Sequence, residues 1–296
     1  MSNYIYCIYT GKEIPIDKAN SEHIIPLSLG GVNGFEILVD ADFNAELGSK
    51  IDGKLANDFL IMIDRKKKNV RGHSRKDVDM RWKKSLFKDS QEPVQIEFIN
   101  YGTKVYPKIY SPIKRTYLDA EEIGDRLIES QIVMDRFIRL KFSAKTALSA
   151  GYYVYEDLFK KHVDLESLRA LMTMNKSNMD EVLSHSKLRV ADQFSYPLCN
   201  QKEQLDVMMF KKMCENFDSS CVMFILSTNN IIITIGILGE YIATINVPAE
   251  THLFPNEDKY RLGHVVFLQN GKIKRQSFHS AVGELMKKIE QHIHVR

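Results

Sequence analysis

Cysteine, tryptophan and net charge are all scarce in this chain of 296 residues. The four cysteines (Cys7, Cys199, Cys214 and Cys221) are widely scattered, which excludes both a secreted disulfide framework and a close metal-binding pair. A net charge of +3 is too small to establish a nucleic-acid partner, so the distribution of charge has to decide. No segment reaches the ~20 continuous apolar residues of a membrane span. The most apolar stretch, Cys221 to Val247, is interrupted by Asn229, Asn230, Gly236, Gly239 and Glu240. Residues 1–7 lack the basic start and apolar run of a signal peptide. The expectation is a reduced, cytoplasmic protein without a membrane partner, and neither repeats nor a low-complexity tail suggest otherwise.

What is present is enough apolar material for a folded core. Hydrophobic residues make up 44% and charged residues 27%, a globular balance, and the length suggests roughly two domains. Tyr4 to Tyr9 alternates as a short strand, Thr10 to Lys12 turns, and Glu22 to Leu27 forms a second extended arm because Pro26 biases Ile25 away from helix. From Phe43 to Ile63 the apolar residues Leu47, Ile51, Leu55, Phe59 and Met62 recur at steps of three and four, the period of an amphipathic helix. Val94 to Tyr110 reads as a hairpin around Asn100 to Thr103.

Helical patterns follow from Asp119, over Ile132 to Leu148 and on to Tyr153, around Val163 to Met172, and over Gln201 to Asn216. Cys221 to Val247 divides into three strands, and Gly263 to Phe278 into two more joined at Asn270-Gly271, before a terminal helix from about His279. The fold class is α+β. It comprises an N-terminal strand–strand–helix module over 1–64, a basic segment and hairpin over 65–115, and a C-terminal part over 116–296. That last part has a helical middle region, then antiparallel strands with a terminal helix.

One stretch points to chemistry. Glu22 and His23 stand side by side, Pro26 and Gly30-Gly31 follow, and Asn44 lies thirteen residues beyond Gly31 at the opening of the helix. Adjacent side chains of an extended arm face opposite ways, so Glu22 and His23 can act on separate sides of a substrate. Histidine suits a general base near neutral pH, and carboxylate and amide oxygens suit a hard divalent cation. Asn44, Gly48 and Asp52 lie four apart, on one face of a regular helix. Taken singly, Asn44 would read as a helix N-cap and Asp52 as a surface acid.

The order Glu-His-Ile-Ile-Pro, Gly-Gly, then Asn with Gly and Asp on succeeding turns resembles the ββα-metal core of HNH endonucleases, over roughly the first sixty residues. The resemblance implies metal-dependent hydrolysis of phosphodiesters in DNA. His23 would be the general base, Glu22 and Asn44 ligands of one divalent ion (Mg²⁺ or Mn²⁺), and Asp52 a supporting partner or further ligand. Asn33 is the candidate for the middle asparagine that orients the base, and Gly48 would let the backbone approach a phosphate. Many relatives carry two Cys-x-x-Cys knuckles around a structural zinc. The matching positions here are Cys7 with Thr10 and Asp40 with Phe43, so no structural zinc is expected, and packing of Phe43 against Tyr6 and Ile8 would replace it. The segment Arg139 to Tyr155 resembles the lysine-containing helix downstream in the same subgroup, where Lys141 and Lys145 would meet phosphate or solvent.

Between Arg65 and Lys84, ten of twenty residues are Lys or Arg against two Asp. Arg65, Lys66, Lys67, Lys68, Arg71, Arg75 and Lys76 read as contacts to backbone phosphates, or else as a solvated face. Trp82 reads as an anchor to the core or a platform for a base. The remaining histidines show no ligand spacing. The expected setting is restriction or anti-phage defence or a mobile element, with further partners a defence-system protein or a second copy docking through the C-terminal region, for example along an exposed edge in Ile231 to Val247. The alternative function is a catalytically silent nucleic-acid-binding module of HNH shape.

Overall fold

Strands β1 (Tyr4–Cys7) and β2 (Lys12–Pro15) open the chain as an antiparallel hairpin. The computed structural model describes residues 3–72, 75–101, 104–132, 134–194 and 200–294. Strand β3 (Ala19–His23) pairs with β4 (Glu36–Asp40), placing Glu22 opposite Ile37 and His23 opposite Glu36, and helix α1 (Ala41–Leu47) follows at once. The strand–strand–helix unit is thus β3–β4–α1, not the two arms Tyr4 to Tyr9 and Glu22 to Leu27. The second arm ends at His23, because Pro26 starts a 3₁₀ turn over Leu27–Leu29. Gly31 folds that loop back onto the strand end: a Cβ there would stand 1.8 Å from the Ile25 carbonyl oxygen.

The helix expected over 43–63 is broken. After α1 comes a π-helical turn (Gly48–Asp52), then α2 (Gly53–Ala56) and α3 (Phe59–Lys67). Asp58 causes the second break, capping α3 by accepting from the Leu60 amide at 3.2 Å. The wider π turn shifts the phase, so a spacing of four no longer marks a straight line along Asn44, Gly48 and Asp52.

Five strands, β5 (Arg81–Phe87), β6 (Pro93–Tyr101), β7 (Lys104–Ser111), β8 (Thr116–Tyr117) and β9 (Ile128–Ser130), form a small sheet ordered β8-β7-β6-β5-β9. The hairpin expected over Val94 to Tyr110 is β6–β7, with Gly102 and Thr103 of its turn outside the described residues. Phe87, Val94, Ile96, Ile109 and Leu118 give the sheet its own core. Trp82 is the anchor that ties it to α3, with ring centroids 4.7 Å from both Phe59 and Phe98. The C-terminal part of the basic run is therefore strand.

Helix α4 (Ala120–Ile123) carries a capping box at Asp119, and α5 (Arg136–Tyr155) runs through the centre of the molecule. Then come α6 (Asp157–His162), α7 (Leu165–Thr173), α8 (Met179–His185), strand β10 (Arg189–Asp192) and α9 (Gln201–Phe217). Strands β11 (Cys221–Ser227), β12 (Asn230–Ile237), β13 (Glu240–Pro248), β14 (Gly263–Gln269) and β15 (Lys272–Ser277) complete an antiparallel sheet ordered β10-β13-β12-β11-β14-β15, and α10 (Phe278–His294) closes the chain.

Alternation along β11 divides the interior. Val222 and Phe224 join one core with α5, α7 and the N-terminal strands, whereas Cys221 and Met223 join another with Phe210 and Phe217 of α9 and Phe278 and Leu285 of α10. The architecture is α+β with antiparallel sheets and a terminal helix, as the pattern implies. Ile231 to Val247 lies inside the sheet, whose edges are β10 and β15, so that stretch offers no edge to a second copy. Among the described residues no helix is long and apolar enough to cross a membrane.

Helix α5 carries charge into the interior. Arg139 is fully buried and grips Asp58 through two parallel bonds, Nε to Oδ2 at 3.0 Å and Nη2 to Oδ1 at 2.7 Å. Removing one partner strands the other in a dry site. Arg139→Ala is expected to destabilise the fold by about 3–5 kcal/mol, measurable as a lower urea midpoint; a change below 1 kcal/mol would show that Asp58 finds water instead.

Candidate functional site

The register of β3 and β4 sets the site. His23 and Glu36 are cross-strand partners, and His23 Nε2 stands 3.1 Å from Glu36 Oε1 and 3.2 Å from Asn33 Oδ1. Both neighbours are acceptors, so Nε2 carries the proton, and in the neutral ring the lone pair sits at Nδ1. Nδ1 is then the basic nitrogen of the ring. Glu36 is itself held ionised: the Ser21 hydroxyl donates to it, and that bond above all lowers its carboxyl below the ordinary value, aided by the Gly34 amide at 3.3 Å and by His23. Asn33 therefore sits where a base-orienting residue would act. Glu36 is the partner that sequence reading missed, since only strand register reveals it.

Glu22 faces the other way, into the molecule. Its Oε1 accepts from Lys145 Nζ, and Lys145 also donates to Asp52 Oδ2 at 2.5 Å. The Lys145 side chain is 1% exposed, and those of Glu22 and Asp52 are each 13% exposed. Lys145 thus meets carboxylates rather than the phosphate or solvent expected of it. Lys141 turns to the Met174 carbonyl at 2.7 Å. Burial alone would push the Lys145 ammonium down, but Asp52, then Tyr9 and Glu22, more than offset this and hold it above the ordinary lysine value. Burial pushes the Asp52 carboxyl up, with Lys145 opposing, and it pushes the Tyr9 phenol up as well.

Asn44 is buried on α1 and donates from Nδ2 to Asn20 Oδ1 at 3.2 Å. Asn20 and Glu22 share one face of β3, so α1 delivers Asn44 to the Glu22 side of the strand, opposite His23. Asn44 Oδ1 and Asp52 Oδ1 are both buried without a hydrogen-bond partner. Orphaned oxygens beside a carboxylate match the donor preference of a hard divalent cation. Glu22 and Asn44 are the residues that would hold one, with Asp52 behind them on Lys145. Among the described residues no group of three or more His, Cys, Asp and Glu side chains is arranged as a metal site, so the remaining ligands would come from substrate and water. Gly48 opens the π turn that ends at Asp52, one residue after α1, which bears Asn44.

Of the four positions set against zinc knuckles in the sequence, Cys7, Asp40 and Phe43 converge. Cys7 Sγ accepts from the Asp40 amide at 3.3 Å, and Asp40 Oδ1 accepts from the Phe43 amide at 2.9 Å. The Phe43 ring lies 6.4 Å from Tyr9 and, like Tyr6, packs against the core that contains Ile8. Arg169 fastens the hairpin from α7, donating to the Ile8 carbonyl at 2.9 Å and the Tyr6 hydroxyl at 2.7 Å.

The basic segment is partly spent on the fold. Arg65 donates to the Ala56 carbonyl at 2.7 Å, Lys66 to the Val78 carbonyl at 2.9 Å, Lys68 pairs with Asp218, and Arg71 pairs with Asp77 at 2.7 Å. Lys67, Arg75 and Lys76 are exposed, and His73 lies outside the described residues. Other histidines serve locally, as where His264 is buried against the Lys259 carbonyl at 2.8 Å. Cys214 and Cys221 are buried thiols, and Cys199 lies outside the described residues.

Because the folded Lys145 pKa is raised, deprotonation of Lys145 itself removes none of its contribution below the ordinary lysine value of about 10.4, and that contribution is lost as pH rises through the folded value. Lys145→Met should therefore cost about 3–5 kcal/mol at pH 7, where two buried carboxylates lose their counter-charge. The loss should shrink towards pH 4 as the raised Asp52 carboxyl protonates. Urea unfolding at both values checks this, and a pH-independent loss would assign the effect to packing alone. Comparison of the chain with protein-family models, with curated proteins and with solved structures found no match.

Proposed function

We propose that this chain is a metal-dependent endonuclease of the HNH kind that hydrolyses phosphodiester bonds in DNA. The observation that carries the reading is His23, hydrogen-bonded through Nε2 to Asn33 and Glu36, on the strand face opposite Glu22 and Asn44. A water beside the imidazole loses its proton to it as the water oxygen bonds to phosphorus, and the bond from phosphorus to the leaving oxygen breaks. Glu36 stabilises the imidazolium that forms, and Asn33 fixes the plane of the ring. A divalent ion bound by Glu22 and Asn44 would supply charge neutralisation at the phosphate and the leaving oxygen. Lys145 keeps Glu22 and Asp52 in place without consuming the second oxygen of either carboxylate. Lys67, at the end of α3 and 3.8 Å from Asp64, and Arg75 in the segment that follows are exposed cations suited to neighbouring phosphates.

One observation favours the alternative of a silent DNA-binding module: an ammonium already sits on Glu22. The readings separate on supercoiled plasmid with Mg²⁺ or Mn²⁺. The endonuclease should nick or cut it, and His23→Ala should lower the rate by about 10²- to 10⁴-fold. Equal cleavage by both proteins removes His23 from the mechanism. Salt-sensitive binding without cleavage under either ion leaves the silent module.

A further inference from the structure

A cavity of about 680 Å³ lies where the end of α5 meets the second sheet, lined by Tyr152, Tyr153, Tyr260 and Arg275 with Glu156 and Asp157 at its rim. Its size falls in the roughly 300–1,000 Å³ range of ligand clefts. Three features tie it to the candidate site. Tyr153 donates its hydroxyl to the Gly34 carbonyl at 3.1 Å, and Gly34 adjoins Asn33, the residue on His23. Tyr153 also packs edge-on against Phe35, at 5.0 Å, just before Glu36. Lys145 and Tyr153 share α5, eight residues and therefore about 12 Å apart.

The chemistry of the lining is specific. Half-buried tyrosine rings and the exposed Arg275 guanidinium, 4.7 Å from the Tyr153 ring centroid, are flat surfaces of the sort on which bases stack. Exposed carboxylates at Glu156 and Asp157 can accept from the amino group of a base. Glu156 sits between α5 and α6 at φ +48° and ψ −122°, a conformation non-glycine residues seldom adopt. Strain of this sort gathers at ligand sites, and here it sets the turn that brings both carboxylates to the rim. Arg275 belongs to edge strand β15 and is exposed, so a strand reaching the cavity meets a cation for a phosphate there.

We propose that this cavity receives an unpaired nucleobase of the DNA strand whose phosphate lies at His23, so that the second sheet selects DNA in which a base stands outside the helix. The proposal rests on the endonuclease reading for its substrate. Its test is kept apart from cleavage. Binding is measured in EDTA with duplexes carrying a single bulged 2-aminopurine, the same duplex with an abasic bulge, and a fully paired control. Wild-type protein should prefer the bulged base over the abasic bulge by about tenfold, with a change in 2-aminopurine fluorescence on binding.

Tyr153→Ala should abolish the preference. Because Tyr153 also packs on Phe35, the exposed substitution Arg275→Ala is the second probe and should reduce the preference at an unchanged melting temperature. Loss of a phosphate contact alone would weaken both duplexes equally and leave their ratio intact. Equal affinity of the wild type for base and abasic bulges, or a preference that survives in both variants, overturns the pocket. Plasmid cleavage without base preference would defeat this proposal and spare the endonuclease, whereas base preference without cleavage would do the reverse.

Discussion

Two buried cations on one helix hold the amino-terminal unit against the rest of the molecule. Lys145 reaches Glu22 on β3 and Asp52 after α1, and Arg139, less than two turns earlier on α5, reaches Asp58 at the start of α3. Each is strong only because the surroundings are dry, and each would be costly if its partner were lost. The consequence is geometric. Strand β3 cannot slide, and α1 to α3 cannot rotate, without exposing a charge to an apolar core. His23 on the far face of β3 inherits that fixity, though neither cation touches it.

The strand–turn–helix order and most C-terminal elements were legible because they rest on local signals. Asn270-Gly271 marks a hairpin in any context, Asp119 opens α4 where the helical pattern begins, and Cys221 to Val247 divides into three strands at its turns. What escaped the sequence is what depends on pairing. Strand β4 hides in Glu36 to Asp40, beside a glycine loop, and its existence is what sets Glu36 against His23. The short elements α6, α8 and β10 were missed because a few residues carry too little periodicity. Asp58 breaks a helix that apolar spacing carries straight through, since periodicity does not register a side chain competing for the next backbone amides.

The site was legible in residue type more than in arrangement. Glu22, His23 and Asn44 do fall on two sides of one strand, and Asn33 does reach the imidazole. Lys145 was visible as a helix-face lysine, but its burial was not, because the small residues around it on α5 fit a tightly packed helix whichever way the lysine points. The basic run shows the converse limit. Ten cations in twenty residues read as one surface, yet several are consumed by carbonyls and carboxylates of their own chain.

The corner formed by Cys7, Asp40 and Phe43 has a consequence for what keeps it folded. An amide–sulfur hydrogen bond, an amide cap and neighbouring aromatic rings close it, and Arg169 fastens the adjoining hairpin from α7. Where thiolates and zinc close such a corner, folding free energy is metal-binding free energy, and a chelator takes structure and chemistry together. Here hydrogen bonds and ring packing close the corner, so its stability draws on burial and on satisfied backbone amides.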